Sequence, residues 1–172
     1  MEARLFDLDS PPEWTTPEWY AGRETAPHLE QEGHRDRLLL SAKFVDEALQ
    51  RLPEGHKSAV DLGAGDGGLL SILQEAEISW GFDLQQTNVD AAAKRGANVA
   101  LRDVVSAWPA ADETVASVAI ATEMLEHLVH PHEFVSRVRS YGSKYFVVSS
   151  PYTETAEFHY EFHTWAWDLS GY

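Results

Sequence analysis

The sequence predicts an α/β fold with a doubly wound, mostly parallel sheet. Three observations point there: strand-like and helix-like stretches alternate from residue 58 to residue 150, two strand-like runs are apolar at nearly every position, and a glycine-rich turn follows the first strand. Alternation of this kind implies parallel strands joined by crossover helices. The runs Val115-Ala116-Ser117-Val118-Ala119-Ile120 and Tyr145-Phe146-Val147-Val148 suit strands covered on both faces.

Residues 1–28 hold four of the eight prolines (Pro11, Pro12, Pro17 and Pro27) and two of the six tryptophans, Trp14 and Trp19. Proline locks φ and removes a donor, so an extended arm with sparse regular structure is expected there. Its aromatics are expected to pack onto the sheet or helices, a flap over a substrate being the alternative. The domain proper is expected over 29–172. Leu38, Ala42, Val45, Leu49 and Leu52 recur at helical spacing and mark an amphipathic helix over 29–52, which Pro53-Glu54-Gly55 ends. The elements that follow are strand 58–62, helix 67–76, strand 78–83, helix 86–95, strand 97–101, strand 115–121, helix 130–140 and strand 144–150. In open sheets of this type ligands sit beyond the carboxyl ends of the strands. Asp61, Asp83, Asp103, Glu123 and Ser150 fall at those ends and are expected on one rim.

With 172 residues, 44% of them apolar, the chain is of one-domain size and can bury a core. Thirteen basic residues against 28 acidic ones give a formal net charge of −15, which opposes a partner bound through its phosphates, so nucleic acid is disfavoured. The absence of cysteine excludes disulfides, thiolate nucleophiles and thiolate zinc sites. No stretch approaches a bilayer span and the start lacks a signal-peptide pattern, so a cytoplasmic protein without membrane contact is expected.

The turn Asp61-Leu62-Gly63-Ala64-Gly65-Asp66-Gly67-Gly68 reads as a nucleotide-cofactor loop. Its glycines permit φ > 0 and close approach of a ligand, and the helix expected after it would aim its positive end there. Gly63, Gly65 and Gly68 also satisfy the dinucleotide pattern, with Asp83 standing where an acid would hold a ribose. Charge separates the two readings. A pyrophosphate would be repelled by Asp61 and Asp66, whereas S-adenosylmethionine carries a sulfonium and an ammonium and no phosphate.

From about Leu38 to Asp168 the sequence resembles the class I S-adenosylmethionine-dependent methyltransferases, with a Rossmann-like fold, through the first motif at Val60 to Gly67. The resemblance implies that Asp61 and the backbone at Gly63, Ala64 and Gly65 face the methionine end of the cofactor. It implies likewise that Asp83 binds the ribose hydroxyls, that Leu84 packs on the adenine and that Asp103 meets the adenine amino group, a helix cap being the alternative for Asp103. Glu123 is placed with this cofactor set. Little chain follows Ser150, where the family continues through a further helix and two antiparallel strands, so the fold is expected to be C-terminally short. That helix would begin near Trp167-Asp168-Leu169. A partner or a second copy could then complete the sheet edge.

Two clusters carry candidate chemistry. If Thr122 to Leu128 is helical, Glu123 shares a face with Glu126 and His127. The second cluster, His159 to Asp168, adds imidazoles among aromatic rings. Glu126, His127 and His163 are the candidate catalytic groups, since a base helps when the acceptor is a hydroxyl or a protonated amine. The Glu-x-x-Glu-His pattern with a later His is also similar to the small-RNA 3′-terminal 2′-O-methyltransferases, which implies Glu123, Glu126, His127 and His163 as ligands of a divalent metal. The metal-free reading is preferred. His130 and His132 are read as solvated. His28 and His34, near Arg23, Arg35 and Arg37, form a basic island that could bind an anionic group; solvated helix charge is the preferred reading.

The expected function is S-adenosylmethionine-dependent methyl transfer to an oxygen or nitrogen of a small-molecule acceptor. The alternatives are a metal-dependent RNA ribose 2′-O-methyltransferase and a non-catalytic cofactor-binding subunit.

Overall fold

The computed structural model describes residues 2–108 and 115–167. Five strands form one parallel sheet: β2 (Ser58–Leu62), β3 (Ile78–Asp83), β4 (Val99–Leu101), β5 (Val118–Thr122) and β6 (Tyr145–Ser149), in the order β4-β3-β2-β5-β6. The strand order reverses at β2, so a crevice opens between the carboxyl ends of β2 and β5, where open α/β sheets bind ligands. This is a doubly wound, Rossmann-like fold. Among the described residues no further strand pairs with the outer edges of β4 or β6.

Alternation along the strands sorts the core into two layers. Ala59, Val118 and Ile120 face α2 (Glu32–Gln50), which buries Ala42, Val45, Ala48 and Leu49 against them. Val60, Leu62, Ala119 and Ala121 face the other way, toward Phe134, Val138 and Tyr141 of α4 (Pro131–Tyr141). Each fully buried aliphatic side chain contributes about 1.5–3 kcal/mol. Truncating Leu49, which is wholly buried, would cost about 2–5 kcal/mol. On the β4 side, α3 (Gln86–Arg95) ends at Gly96 in the left-handed conformation.

Three expectations need correction. The helix expected over 67–76 is a single 3₁₀ turn, Leu70–Ile72. Gly67 sits at φ +73°, where a Cβ would come within 2.6 Å of Ala97 Cβ and 3.0 Å of Ala92 Cβ, and the amides of Gln74 and Glu75 are taken by the Asp46 carboxylate on α2. Glycine is a poor helix former and a competing acceptor claims the next turn's donors, so the segment cannot continue as a helix. The glycine bend therefore has no long helix whose positive end points at it.

The chain near Trp167 is a strand rather than the start of a helix: β7 (Trp165–Trp167) pairs antiparallel with β1 (Glu2–Arg4) in a second, two-stranded sheet. Asp168 and Leu169, where that helix is also expected, lie outside the described residues. Ala166 and Trp167 are buried, and Trp167 joins the α4-side core. The N-terminal arm contains β1, a 3₁₀ turn at Glu13–Thr15 and the short helix α1 (Pro17–Ala21), capped by Thr16 Oγ1 accepting the Trp19 amide. Its aromatic side chains pack against the C-terminal segment, Trp14 and Trp19 meeting Phe162 at 6.3 and 4.8 Å between ring centroids, and among the described residues no ring of the arm meets a ring of the five-stranded sheet.

Candidate active site

A cleft of about 850 Å³ opens over the carboxyl ends of the strands. That is room for a nucleoside-sized ligand and a second small molecule. Asp61, Gly63, Ala64, Gly65, Asp83, Leu84, Asp103, Glu123, Glu126, His127 and His163 all line it. These residues therefore share one cleft, which Ser149 lines and Ser150 does not.

The floor is built by the ends of β2 and β3. Asp83 Oδ2 accepts the Gly65 amide at 2.8 Å, while Oδ1 accepts the Gln85 amide at 2.9 Å and Asn88 Nδ2 at 3.0 Å. Gly81 lets β3 run against the bend, since a Cβ there would come within 2.6 Å of Ala64 Cβ. Asp61 is buried, and its Oδ1 has no hydrogen-bond partner among the described residues. Burial, with the Asp83 charge adding to it, pushes the Asp61 carboxyl up to about 7. A cation arriving at Oδ1 would restore the charged form.

The second acid of the turn does something else. Asp66 Oδ1 accepts the Gly68 amide at 3.1 Å, Oδ2 meets Arg95 at 2.6 Å, and His28 Nδ1 lies 3.7 Å away. Burial alone would raise its carboxyl, but His28 and Arg95 outweigh burial and hold it low. Asp66 is therefore a neutralised structural acid, and its expected repulsion of a pyrophosphate does not operate as a free charge. The bend disfavours a pyrophosphate for a different reason: the Gly65 and Gly68 amides that would cradle it already serve Asp83 and Asp66.

Asp103 makes local bonds with both oxygens, Oδ1 to the Val105 amide at 2.9 Å and Oδ2 to Ser106 Oγ at 2.7 Å. It closes a turn at the cleft rim. No helix follows it to be capped among the described residues.

After β5 the chain is not a regular helix. Glu123 adopts φ +51°, and only Leu125–His127 forms a 3₁₀ turn. Glu123 consequently leaves the face expected for it: its carboxylate pairs with Arg37 of α2 and accepts Ser149 Oγ at 2.9 Å. Glu126 and His127 instead meet His163, the three ligand-type atoms lying within 4.8 Å of one another. Thr164 makes this possible. It is fully buried, and its amide and Oγ1 both donate to the Glu126 carbonyl at 2.6 Å, which clamps the C-terminal segment onto the turn.

The protonation pattern follows from the partners. His127 Nδ1 faces the Phe162 carbonyl at 3.1 Å, and a carbonyl can only accept, so Nδ1 carries the proton and Nε2 holds the lone pair. His163 Nδ1 likewise meets the Glu154 carboxylate at 2.6 Å. Burial, then the neighbouring His163 and Arg23, push the His127 imidazolium down to about 4, so the ring is neutral near pH 7. Glu126 is 1% exposed, and burial, with a smaller push from Glu154, raises its carboxyl to about 7. The Ser150 hydroxyl and the Arg37 charge relieve only part of that cost. A carboxyl that titrates near neutrality beside the neutral His127 ring can accept a proton from a bound hydroxyl or amine.

Several wall residues are not assigned to the cleft by the sequence. Tyr20, Arg23 and His28 come from the N-terminal arm, and His34 and Arg37 from α2. His28, His34 and Arg37 thus face the cleft, where solvated helix charge is expected from the sequence; Arg35 is exposed as expected. His130 and His132 are exposed, though His130 reaches the rim.

Fold and site together define a protein of the class I methyltransferase type, a parallel five-stranded sheet with an acid-floored cleft at the strand ends. Residues 32–170 match the methyltransferase domain family, and the chain belongs to that family. No curated protein matches the sequence. Among solved structures, the fold is similar to the plantazolicin methyltransferase BpumL in complex with a pentazolic desmethylPZN analog and SAH, at 20% identity and a TM-score of 0.55 over 67% of this chain and 46% of that one. It is also similar to the plantazolicin methyltransferase BamL in complex with a triazolic desmethylPZN analog and SAH, at 17% identity and a TM-score of 0.51 over 67% of this chain and 45% of that one. The chain spans about half the length of these proteins. Among the described residues no helix is long and apolar enough to cross a membrane.

Proposed function

We propose that this chain is an S-adenosylmethionine-dependent methyltransferase acting on an oxygen or nitrogen of a small-molecule acceptor. The observation that carries the reading is the buried Asp61 with its unpartnered Oδ1 beside the glycine bend, a seat for an ammonium and not for a phosphate. Membership of the methyltransferase domain family supports it, as does the presence of SAH in the BpumL and BamL complexes.

When bound, S-adenosylmethionine supplies a methyl carbon activated by its sulfonium. The residues of this chain have the remaining tasks. Asp61 and the bend at Gly63, Ala64 and Gly65 would hold the methionine end, Asp83 and Leu84 the nucleoside, with Asp103 at the rim. Glu126 would take the acceptor's proton, and Nε2 of His127 and of His163 would accept hydrogen bonds that orient the acceptor.

A second reading rests on the same three groups. Two imidazole nitrogens and a carboxylate oxygen within 4.8 Å of one another fit a divalent cation by donor type, and the Glu126 carboxylate is buried. Such an ion would polarise the acceptor oxygen. Glu123, bound to Arg37 and Ser149, stands apart from this set, and the net charge of −15 opposes an RNA acceptor. The outer edge of β6, unpaired among the described residues, supports a partner or a second copy docking there.

Calorimetric titration with SAH and with NAD tests the main reading. Binding of SAH with no heat from NAD is expected; binding of NAD without SAH would overturn it.

A further inference from the structure

Arg23 is held among aromatic rings on the cleft wall. Its guanidinium carbon lies 5.1 Å from the Trp19 ring centroid, 5.7 Å from Tyr20 and 5.9 Å from Phe162. Rings at this distance attract the cation and strip water from its faces. They cannot satisfy the in-plane N–H donors. Among the described residues Arg23 meets no carboxylate, in a chain whose acidic residues outnumber its basic ones 28 to 13. Arg37 and Arg95, by contrast, are paired with Glu123 and with Asp66 and Glu30.

A second donor stands on the same wall. The Tyr20 hydroxyl is buried with no hydrogen-bond partner among the described residues, and the Tyr20 ring packs 5.6 Å from the His127 ring. A phenol is protonated near neutrality and so a donor. A guanidinium fork and a phenol, both short of acceptors, lie beside the groups placed at the transfer step. The cleft there is lined by the rings of Tyr20 and Tyr160, the latter packing 5.2 Å from His163.

We propose that the methyl acceptor is a small planar molecule bearing an oxyanion, a carboxylate or a phosphate monoester, which Arg23 grips in its fork while Tyr20 donates to the same group. The planar fork of arginine matches either oxyanion in a bidentate manner, and the ring wall suits a flat body between the anion and the reacting atom. The inference rests on the methyl-transfer reading for the word acceptor alone; the oxyanion seat itself stands on Arg23 and Tyr20. The site is distinct from the cofactor bend, where His28 and not Arg23 approaches Gly65, at 3.5 Å from its Cβ position.

The test uses the full chain saturated with SAH and probes it with benzoate, 4-hydroxybenzoate and phenyl phosphate, each against a neutral partner, benzamide or 4-hydroxybenzamide. The Arg23 Nε–H resonance is followed by NMR. The expected result is that at least one acid binds about tenfold or more tighter than its amide and shifts that resonance, the better series telling carboxylate from phosphate. Arg23→Gln should bring the acids down to the level of the amides and leave the SAH Kd within about twofold. Arg23→Lys, which keeps the charge and loses the fork, should retain part of the preference. Acids that bind no better than amides, or an Arg23→Gln variant that weakens SAH as much as it weakens the acids, would overturn the proposal. Should the wild-type chain not bind SAH, the methyltransferase reading fails on its own, and the acid–amide comparison in the ligand-free chain still decides the role of Arg23.

Discussion

The Asp83 carboxylate accepts the Gly65 amide at 2.8 Å, so the acid that ends β3 holds the bend that ends β2. The same carboxylate also fixes the Gln85 amide and the Asn88 side chain. It is therefore the fastener of the cleft floor as well as a cofactor-contact candidate. Asp83→Ala leaves three donors without their acceptor, each worth about 1–3 kcal/mol when stranded in a buried site. A lowered unfolding midpoint in urea together with at least tenfold weaker SAH binding by calorimetry is expected. An Asp83→Ala chain of wild-type stability that still binds SAH at full strength would remove Asp83 from both roles.

Two glycines separate close packing from backbone conformation. A Cβ at Gly81 would stand 2.6 Å from Ala64 Cβ and 3.1 Å from the Asp61 carbonyl, whereas one at Gly96 meets nothing within 4 Å. Gly81→Ala must push the bend away from β3, at about 1–3 kcal/mol of overpacking. Gly96→Ala carries only the left-handed φ penalty of about 1–2 kcal/mol. Gly81→Ala should weaken SAH binding along with stability. Gly96→Ala should lower the melting temperature and leave SAH binding as it was.

Much of this arrangement is readable from the chain because local pattern and tertiary role coincide. Strands 58–62 and 78–83 are observed at their expected bounds, and helix 86–95 ends where Gly96 turns left-handed. The 67–76 stretch departs from expectation because its apolar spacing resembles a helix, while the groups that stop it, Ala92, Ala97 and Asp46, are remote in sequence. The pairing of β1 with β7 joins Glu2 to Trp167, and no short-range signal reports a contact across such a span. Glu126, His127 and His163 are legible by residue type, but the place of Glu123 is not. A left-handed residue breaks the i, i+3 relation on which its grouping relies. Tyr20 has no signal of its own, since its role depends on α1 packing over the cleft beside Phe162 and His127.

Asp61 should make stability and cofactor binding depend on pH in opposite senses. Its carboxyl titrates at about 7 in the folded chain and at about 4 when unfolded. The folded state thus holds a proton that the unfolded state has lost, so this group's contribution is full below pH 4 and fades as pH rises to 7. Asp61→Asn should gain stability relative to wild type across that window in urea titrations. Binding of the SAH ammonium favours the ionised carboxylate. At pH 6 SAH binding should therefore release protons, seen as a buffer-dependent heat, and the release should vanish in Asp61→Asn.

Glu126 distinguishes the metal-free site from the metal-bound one without any need for the acceptor. Burial raises its carboxyl to about 7, above the unfolded value near 4.3, so its ionised form weighs against folding as pH passes through that interval. Glu126→Gln keeps the shape and removes the charge. In the metal-free reading it should stabilise the chain at pH 8, by about 4 kcal/mol at most, change little at pH 4, and respond to manganese and to chelator as the wild type does. In the metal-bound reading, manganese would raise the melting temperature of the wild type and chelator would lower it, while Glu126→Gln and His163→Ala would lose that response. We expect the first pattern, because Glu123, the second carboxylate a hard divalent ion would want, is committed to Arg37 and Ser149. A metal-dependent melting shift that Glu126→Gln abolishes would instead assign the three side chains to the ion, with proton acceptance passing to another group.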